Sequence, residues 1–289
     1  QVQRLHQLYK VLSKARTKRG AIEFESSEVR FVLDNRGEVT QAGMLVRNDA
    51  HKLIEECMLA ANTCAADFMT RSKHPGLYRI HEGPTPERLQ SLREFLRTMG
   101  LTLGGGETPT AKDYGDFLDL VRGRPDYQLL QTMCLRSMQQ AVYSPDNMGH
   151  FGLAYPGYSH FTSPIRRYPD LLTHRVIKAL LAGQRYVPSL DDQPVVIGRT
   201  QREHEHAIWE KLGLVLSASE RRADEASRDV EAWLKCWFVK ERVGEDFSGT
   251  VTGGLQVHDA DDVVHRLADH GEPAVPGAAG QLHDLLGRV

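Results

Sequence analysis

The feature that most constrains this chain is a short run, residues 158–175, that holds two prolines, two adjacent arginines and several hydroxyls. A Thr-Ser pair precedes Pro164, as is typical where a helical turn begins behind a capping hydroxyl. Pro169 disfavours helical backbone in the tyrosine before it, so the first turn cannot simply continue. A second helix is predicted to begin at Pro169 and to end at Gly183. The run therefore predicts a rigid corner between two helical segments.

The corner presents two neighbouring guanidinium groups, those of Arg166 and Arg167. The N-terminus of a helix leaves backbone N–H groups unpaired, and a guanidinium binds phosphate through two parallel hydrogen bonds. A phosphodiester is therefore the predicted ligand. The alternative is that one arginine makes a structural ion pair with Asp170, since most charge clusters are solvated faces. The prolines and capping hydroxyls around the pair fix the backbone, which favours the functional interpretation.

Several ordered motifs carry a resemblance to a known family. The run His160–Asp170, HFTSPIRRYPD, resembles the signature of the RNB family of exoribonucleases. Further runs that resemble the family span residues 47–58, 149–154, 220–226 and 229–236. The resemblance is nearly continuous from Leu8 to Thr252. It implies an α+β fold, with a mixed sheet and several packed helices, that lacks the N-terminal part of the catalytic domain.

The same resemblance implies two domains. Residues 1–243 would form the C-terminal portion of the RNB catalytic domain. Residues 244–289 would begin an OB-fold RNA-binding domain, because Ser248–Gly253 resembles its first strand. Residues 254–289 lack the alternating apolar strands that an OB barrel needs, so we expect this tail to be poorly ordered.

Site residues follow from the resemblance, position by position. Arg166 matches the family arginine that helps to neutralise the phosphate during cleavage, an electrostatic catalytic role. Four neighbours are expected to contact the phosphate or the RNA backbone: His160, Ser163, Arg167 and Tyr168.

Two more candidates lie far from the corner. Phe24 is near the position where the family stacks an aromatic ring on a base, although a lone aromatic in a predicted strand is more often a core residue. Glu55 matches a glutamate that contacts a ribose hydroxyl and helps to distinguish RNA from DNA. The alternative for Glu55 is a simple ion pair with Lys52.

The metal that this chemistry needs has no recognisable ligands in the sequence. In the family, Mg²⁺ is held by the order Asp, five residues, Asp-x-Asp-Asp, and neither Asp191-Asp192 nor Asp259–Asp262 matches it. We expect the Mg²⁺ ligands to lie upstream of Gln1.

A second possible metal site lies beside the corner. His150 and His160 with Asp170 could form a metal triad, but they lack the spacing of a helical zinc pair. We favour structural or RNA-contact roles for both histidines.

Composition limits the remaining possibilities. The net charge is −2, so RNA would have to find a local basic channel. No run of about eighteen apolar residues is present, which argues against a membrane span. Four scattered cysteines are expected to be small buried residues in a reducing compartment, and the protein to be cytoplasmic and monomeric.

Hydrophobic periodicity predicts the elements that carry these motifs. Helices are predicted over residues 4–19, 48–72, 86–99, 110–121, 126–142 and 199–242, and strands over 21–25, 29–33 and 149–154. In the 48–72 helix, Asn48 is the predicted N-cap. Its predicted apolar face consists of Ala50, Ile54, Cys57, Ala61, Ala65 and Phe68.

The resemblance to the RNB family implies a parent protein that removes nucleotides processively from the 3′ end of single-stranded RNA and releases nucleoside 5′-monophosphates. Because the aspartate order is absent, a non-catalytic RNA-binding fragment is the alternative. A helical scaffold without a nucleic-acid role is a third possibility, against which the arginine corner argues.

Overall fold

A computed structural model describes residues 1–24, 29–45, 47–190 and 200–245. The chain divides into two compact units. Of the described residues, the larger unit holds 1–24, 47–122, 133–190 and 200–220, and the second holds 29–45, 123–132 and 221–245. The predicted OB-fold strand and the tail after it lie outside the described residues.

The described elements confirm the α+β class. The helices are α1 (Val2–Arg19), α2 (Asp49–Arg71), α3 (Pro86–Thr98), α4 (Ala111–Val121), α5 (Tyr127–Ser137), α6 (Tyr168–Leu181) and α7 (Gln201–Val239). The strands are β1 (Val29–Leu33), β2 (Val39–Met44), β3 (Tyr78–Ile80) and β4 (Val142–Ser144). They form two antiparallel pairs, β1 with β2 and β3 with β4.

Local signals in the sequence set the ends of the helices. The side chain of Asn48 accepts hydrogen bonds from the backbone N–H groups of residues 50 and 51, which confirms it as the N-cap of α2. Thr85 and Thr110 cap α3 and α4 in the same way. Gly20 ends α1 with a φ of 80°, a conformation that glycine adopts without steric cost. The helix predicted over 126–142 ends early, at Ser137, and β4 follows.

Two strand predictions are wrong where the structure describes them. Residues 21–24 do not form a strand; instead the N–H of Ile22 donates to the carbonyl of Gly152 at 2.9 Å. Residues 149–154 form turns, and only His150 makes isolated bridges. The actual partner of β1 is β2, with Val29 opposite Met44.

The hydrophobic core of the larger unit joins α2, β3, β4, α6 and the first part of α7. Its buried members are Ala66, Met69, Leu77, Tyr78, Ile80, Tyr143, Leu172, Val176, Ile208, Trp209 and Leu212. Most of these side chains are less than a tenth exposed, so burial fixes the relative positions of the five elements. The arginine corner lies immediately before α6 and is therefore held by this core.

The predicted apolar face of α2 is wrong in part: Ala65 is buried, but other members of the face are not. Ile54 is 59% exposed and Phe68 is 37% exposed, whereas the residues that α2 buries include Leu59, Asn62 and Met69. The buried face therefore includes polar residues, which are hydrogen-bonded there, and Ile54 lies outside it. Hydrophobicity alone could not locate this face.

Burial also differs from expectation at the cysteines. All four cysteines are free, but only Cys134 is buried and Cys64 is exposed. In α7, Trp233 and Trp237 are 44% and 45% exposed, whereas Ala232 is buried.

Candidate nucleic-acid interface

A carboxylate holds the arginine corner together. The carbonyl of Ser163 accepts the N–H groups of Arg166 and Arg167 at 3.3 and 3.0 Å, which closes one helical turn before α6. The Ser163 N–H donates in turn to Asp170 Oδ1 at 2.7 Å. No side-chain hydroxyl caps α6. The Asp170 carboxylate therefore ties the start of the Ser163 turn to the first turn of α6.

Asp170 also binds Arg167. The Arg167 Nη2 donates to the same Oδ1 at 2.8 Å, and the Asp170 side chain is 0% exposed. The ion pair considered as an alternative from the sequence is therefore present for Arg167. The side chain of Arg167 is still 19% exposed, although its Nε is buried.

Arg166 differs from its neighbour. Its side chain is exposed, and it makes no hydrogen bond or ion pair with the residues that the structure describes. Only its backbone is engaged, through the turn closed by Ser163. The corner thus supplies a free guanidinium on a backbone that Asp170 fixes.

Asn62 anchors the segment that leads into the corner, and nothing in the sequence singled it out. Its Oδ1 accepts from the N–H groups of Phe161 and Thr162 at 3.0 and 3.2 Å, and its Nδ2 donates to the Tyr158 hydroxyl at 2.8 Å. Asn62 is 3% exposed. A buried amide that satisfies two backbone donors fixes the path of the loop, since leaving them unpaired is costly.

His160 lies in a buried polar network that the sequence did not predict. Its Nδ1 is 2.8 Å from the Tyr143 hydroxyl, and its Nε2 is 3.4 Å from Nη1 of Arg167. The Tyr143 hydroxyl is also 3.3 Å from Glu220 Oε1, and Arg79 pairs with the other oxygen of Glu220. Both ring nitrogens of His160 are therefore engaged inside the protein.

Burial and neighbouring cations determine the charge state of the two candidate histidines. Burial, reinforced by Arg167 and Arg79, lowers the pKa of His160 to about 2. Burial and the nearby His81 lower the pKa of His150 to about 3. Both rings are therefore neutral at ordinary pH.

Glu55 lies between two arginines. Its carboxylate accepts from Arg16 Nη1 at 3.0 Å and also contacts Arg47. Burial alone would lower the pKa of Arg16, but hydrogen bonds to Glu56 and Glu55 outweigh it and raise that pKa. Lys52, the partner considered from the sequence, lies 4.0 Å from Glu23 instead.

Two cavities bring some of the predicted residues together. A cavity of about 500 Å³ is lined by residues of α2 together with Tyr158 and Arg167, and a second of about 560 Å³ includes Phe24 and Arg16. Glu55 borders both. Glu55 therefore shares one cavity with Arg167 and the other with Phe24. Four predicted residues line neither cavity: His160, Ser163, Arg166 and Tyr168.

Within the described ranges, no group of three or more His, Cys, Asp or Glu side chains could hold a metal ion. The side chains of His150, His160 and Asp170 therefore do not form a triad. No described helix is long and apolar enough to cross a membrane.

The fold and the arginine corner define a domain of the RNB family, and this chain belongs to it: the RNB domain matches residues 1–183. The chain is 43% identical over 305 aligned residues to Ribonuclease R of Escherichia coli K12. It is 46% identical over 258 residues to Ribonuclease R of Vibrio cholerae. These alignments cover 100% and 86% of this chain but only 37% and 30% of the relatives, so the chain spans about a third of their length.

Solved structures agree with this assignment. The apo form of Mycoplasma genitalium RNase R matches with a TM-score of 0.76 and 26% identity, covering 88% of this chain and 38% of that protein. The same enzyme in complex with ribose methylated single-stranded RNA matches equally well.

Proposed function

We propose that this chain is part of a 3′→5′ exoribonuclease that hydrolyses single-stranded RNA processively and releases nucleoside 5′-monophosphates. The observation that carries the proposal is Arg166, an exposed guanidinium without a side-chain partner among the described residues, on a turn that Asp170 fixes. The support comes from RNB family membership and from identity of 43% and 46% to two Ribonuclease R proteins. The M. genitalium relative solved with single-stranded RNA supports RNA as the partner.

In this proposal Arg166 stabilises the charge that develops on the phosphate during cleavage. A preorganised cation at that point is worth more than one that must be ordered during the reaction. Arg167, whose side chain is 19% exposed, contributes guanidinium N–H groups to the RNA backbone, beside Ser163 and Tyr168. His160 acts on the RNA through Arg167, because both of its ring nitrogens are already engaged.

Phe24 and Glu55, which lie outside the arginine corner, are proposed to bind other parts of the RNA strand. Phe24 borders the 560 Å³ cavity, where a base could stack on its ring. Glu55 is proposed to accept a ribose hydroxyl. Each carboxylate oxygen has more than one lone pair, so its bonds to Arg16 and Arg47 leave acceptor capacity.

The described residues do not fit a magnesium site. They contain no group of three or more potential ligands. We therefore propose that the Mg²⁺ ligands come from a part of the parent protein that precedes Gln1. We also propose that the parent acts as a monomer.

Substitution of Arg166 in the full-length parent tests the assignment. Arg166→Ala should lower turnover of 5′-labelled single-stranded RNA by about 10²–10³-fold while lowering RNA affinity far less. Arg97→Ala is the matched control, because it removes an exposed guanidinium from the last turn of α3. Unchanged turnover in the Arg166 variant would refute its catalytic role.

The 289-residue chain alone tests where the metal ligands lie. Incubated with Mg²⁺ and labelled RNA, it should retain the RNA without shortening it. Stepwise shortening would place a metal site inside this chain and overturn our assignment of the ligands. Failure to retain RNA would count against the binding roles of the corner.

A further inference from the structure

We propose that Arg79, Tyr143 and Glu220 are positioning residues for Arg167, acting through a hydrogen-bond chain that runs in one direction from Arg167 through His160 to Glu220. The inference rests on the proposed function, since it gives these three residues a purpose in holding the group that meets RNA. They come from β3, β4 and α7, so three distant parts of the sequence would set one guanidinium.

The direction of the chain follows from which groups can donate. A guanidinium has only N–H donors, so Nε2 of His160 must accept from Arg167 Nη1 at 3.4 Å. A neutral imidazole then carries its proton on Nδ1, which donates to the Tyr143 hydroxyl at 2.8 Å. That hydroxyl is left to donate to Glu220 Oε1 at 3.3 Å.

Glu220 ends the chain as an acceptor only. Its second oxygen accepts from Arg79 Nη1, and the Arg79 guanidinium lies 4.7 Å from the centre of the Tyr143 ring. The ion pair is largely shielded, with Arg79 15% and Glu220 27% exposed. Burial and the Glu220 charge raise the pKa of Tyr143, so its hydroxyl keeps the proton that it must donate.

A neutral His160 is required at the middle of the chain. Tyr143 and Tyr158 pack edge-on against its ring at 5.6 and 5.7 Å, and Arg167, Arg79, His150 and Arg166 are the titratable groups that act on it. A second ring proton would point an N–H at Arg167 and break the contact. The surrounding cations disfavour that state.

The result is a guanidinium held at two nitrogens. Nε2 of His160 accepts a hydrogen bond from Arg167 Nη1, and Oδ1 of Asp170 accepts one from Nη2 at 2.8 Å. Two anchors fix the plane of a rigid group, whereas Asp170 alone would leave it free to turn about that bond. The second N–H groups on Nη1 and Nη2 are then held in one orientation for a phosphodiester, whereas Nε is buried.

Tyr143→Phe removes the central hydroxyl and keeps the ring. In the full-length parent it should lower kcat/KM for single-stranded RNA about tenfold, the loss expected for one hydrogen bond. Tyr114→Phe is the matched control, because Tyr114 is also buried and its hydroxyl makes a single side-chain contact, with Ser137 at 3.0 Å. It should cost similar stability and leave kcat/KM unchanged.

Nitrogen-15 NMR of the imidazole gives a readout that a purely structural role would not move. In the wild-type 289-residue chain His160 should be the neutral tautomer with its proton on Nδ1. In Arg167→Met the donor to Nε2 is gone, and the signal should shift toward the Nε2–H tautomer. An Nε2–H tautomer in the wild type would overturn the proposed direction.

The outcomes separate this inference from the function on which it rests. A wild-type parent that leaves RNA intact would overturn the proposed function, and the positioning role with it. An active wild type beside an equally active Tyr143→Phe variant would overturn the positioning role alone. An equal loss in Tyr143→Phe and Tyr114→Phe would also overturn it, because general destabilisation would then explain both.

Discussion

Removal of the Asp170 carboxylate should destabilise the larger unit severely. Asp170 is 0% exposed and carries two short contacts, from the Ser163 N–H at 2.7 Å and from Arg167 Nη2 at 2.8 Å. Asp170→Ala leaves a mostly buried guanidinium without its anion and a backbone donor without its acceptor. Breaking one side of a buried pair costs about 3–5 kcal/mol, because the remaining charge is uncompensated.

The chain contains a close control for this change. Asp119 pairs with Arg122 at 2.9 Å with the same spacing of three residues, but its side chain is 71% exposed. Water already solvates both members of such a pair, so Asp119→Ala should cost no more than about 1 kcal/mol. The two variants remove the same chemical group and differ mainly in burial.

Urea unfolding of the 289-residue chain measures the difference. Emission of Trp209, which is fully buried in the core of the larger unit, and far-ultraviolet circular dichroism should report a lower midpoint for Asp170→Ala and little change for Asp119→Ala. If Asp170→Ala unfolds within about 1 kcal/mol of the wild type, the carboxylate does not hold the corner, and the reasoning fails.

Two further predictions concern stability. Below a pH of about 6.5 the unfolded chain protonates His150 and His160, whereas burial keeps both rings neutral in the folded protein. The free energy of unfolding should therefore fall by about 2 kcal/mol per ring between about pH 7 and pH 5, and the fall should be smaller in His150→Gln. A urea midpoint that does not change with pH would contradict this prediction. In α7, a Cβ on Gly213 would lie 2.5 Å from the carbonyl oxygen of Tyr143, so Gly213→Ala should cost about 1–3 kcal/mol. Gly115→Ala in α4 meets nothing within 4 Å and should stabilise by about 0.5–1 kcal/mol; equal melting temperatures for the two alanine variants would refute the packing argument.

Helix ends and the approximate extent of most helices could be read from the sequence, because their signals are local. Asn48, Thr85 and Thr110 each cap a helix through bonds to backbone groups two or three residues away. The two prolines and the arginine pair likewise predicted the corner. Family membership followed from ordered motifs for the same reason, since a motif is a property of consecutive residues.

The groups that hold the corner depended on partners distant in the chain. Asn62 reaches Phe161 across 99 residues, and Arg79 reaches Glu220 across 141. Both separations are far longer than the few residues over which local sequence patterns are read, so neither pairing could be predicted from a local pattern. The buried face of α2 was misassigned for the same reason, because a buried polar residue such as Asn62 is affordable only where its distant partners satisfy it.

The sequence by itself therefore determined the approximate extent of most helices, the arginine corner and membership in the RNB family. Only the tertiary structure decided which arginine is tied to Asp170 and which is free, and that both nitrogens of His160 are engaged. The physical reason is that local capping and turn preferences act over a few residues, whereas burial makes hydrogen bonds between distant residues obligatory.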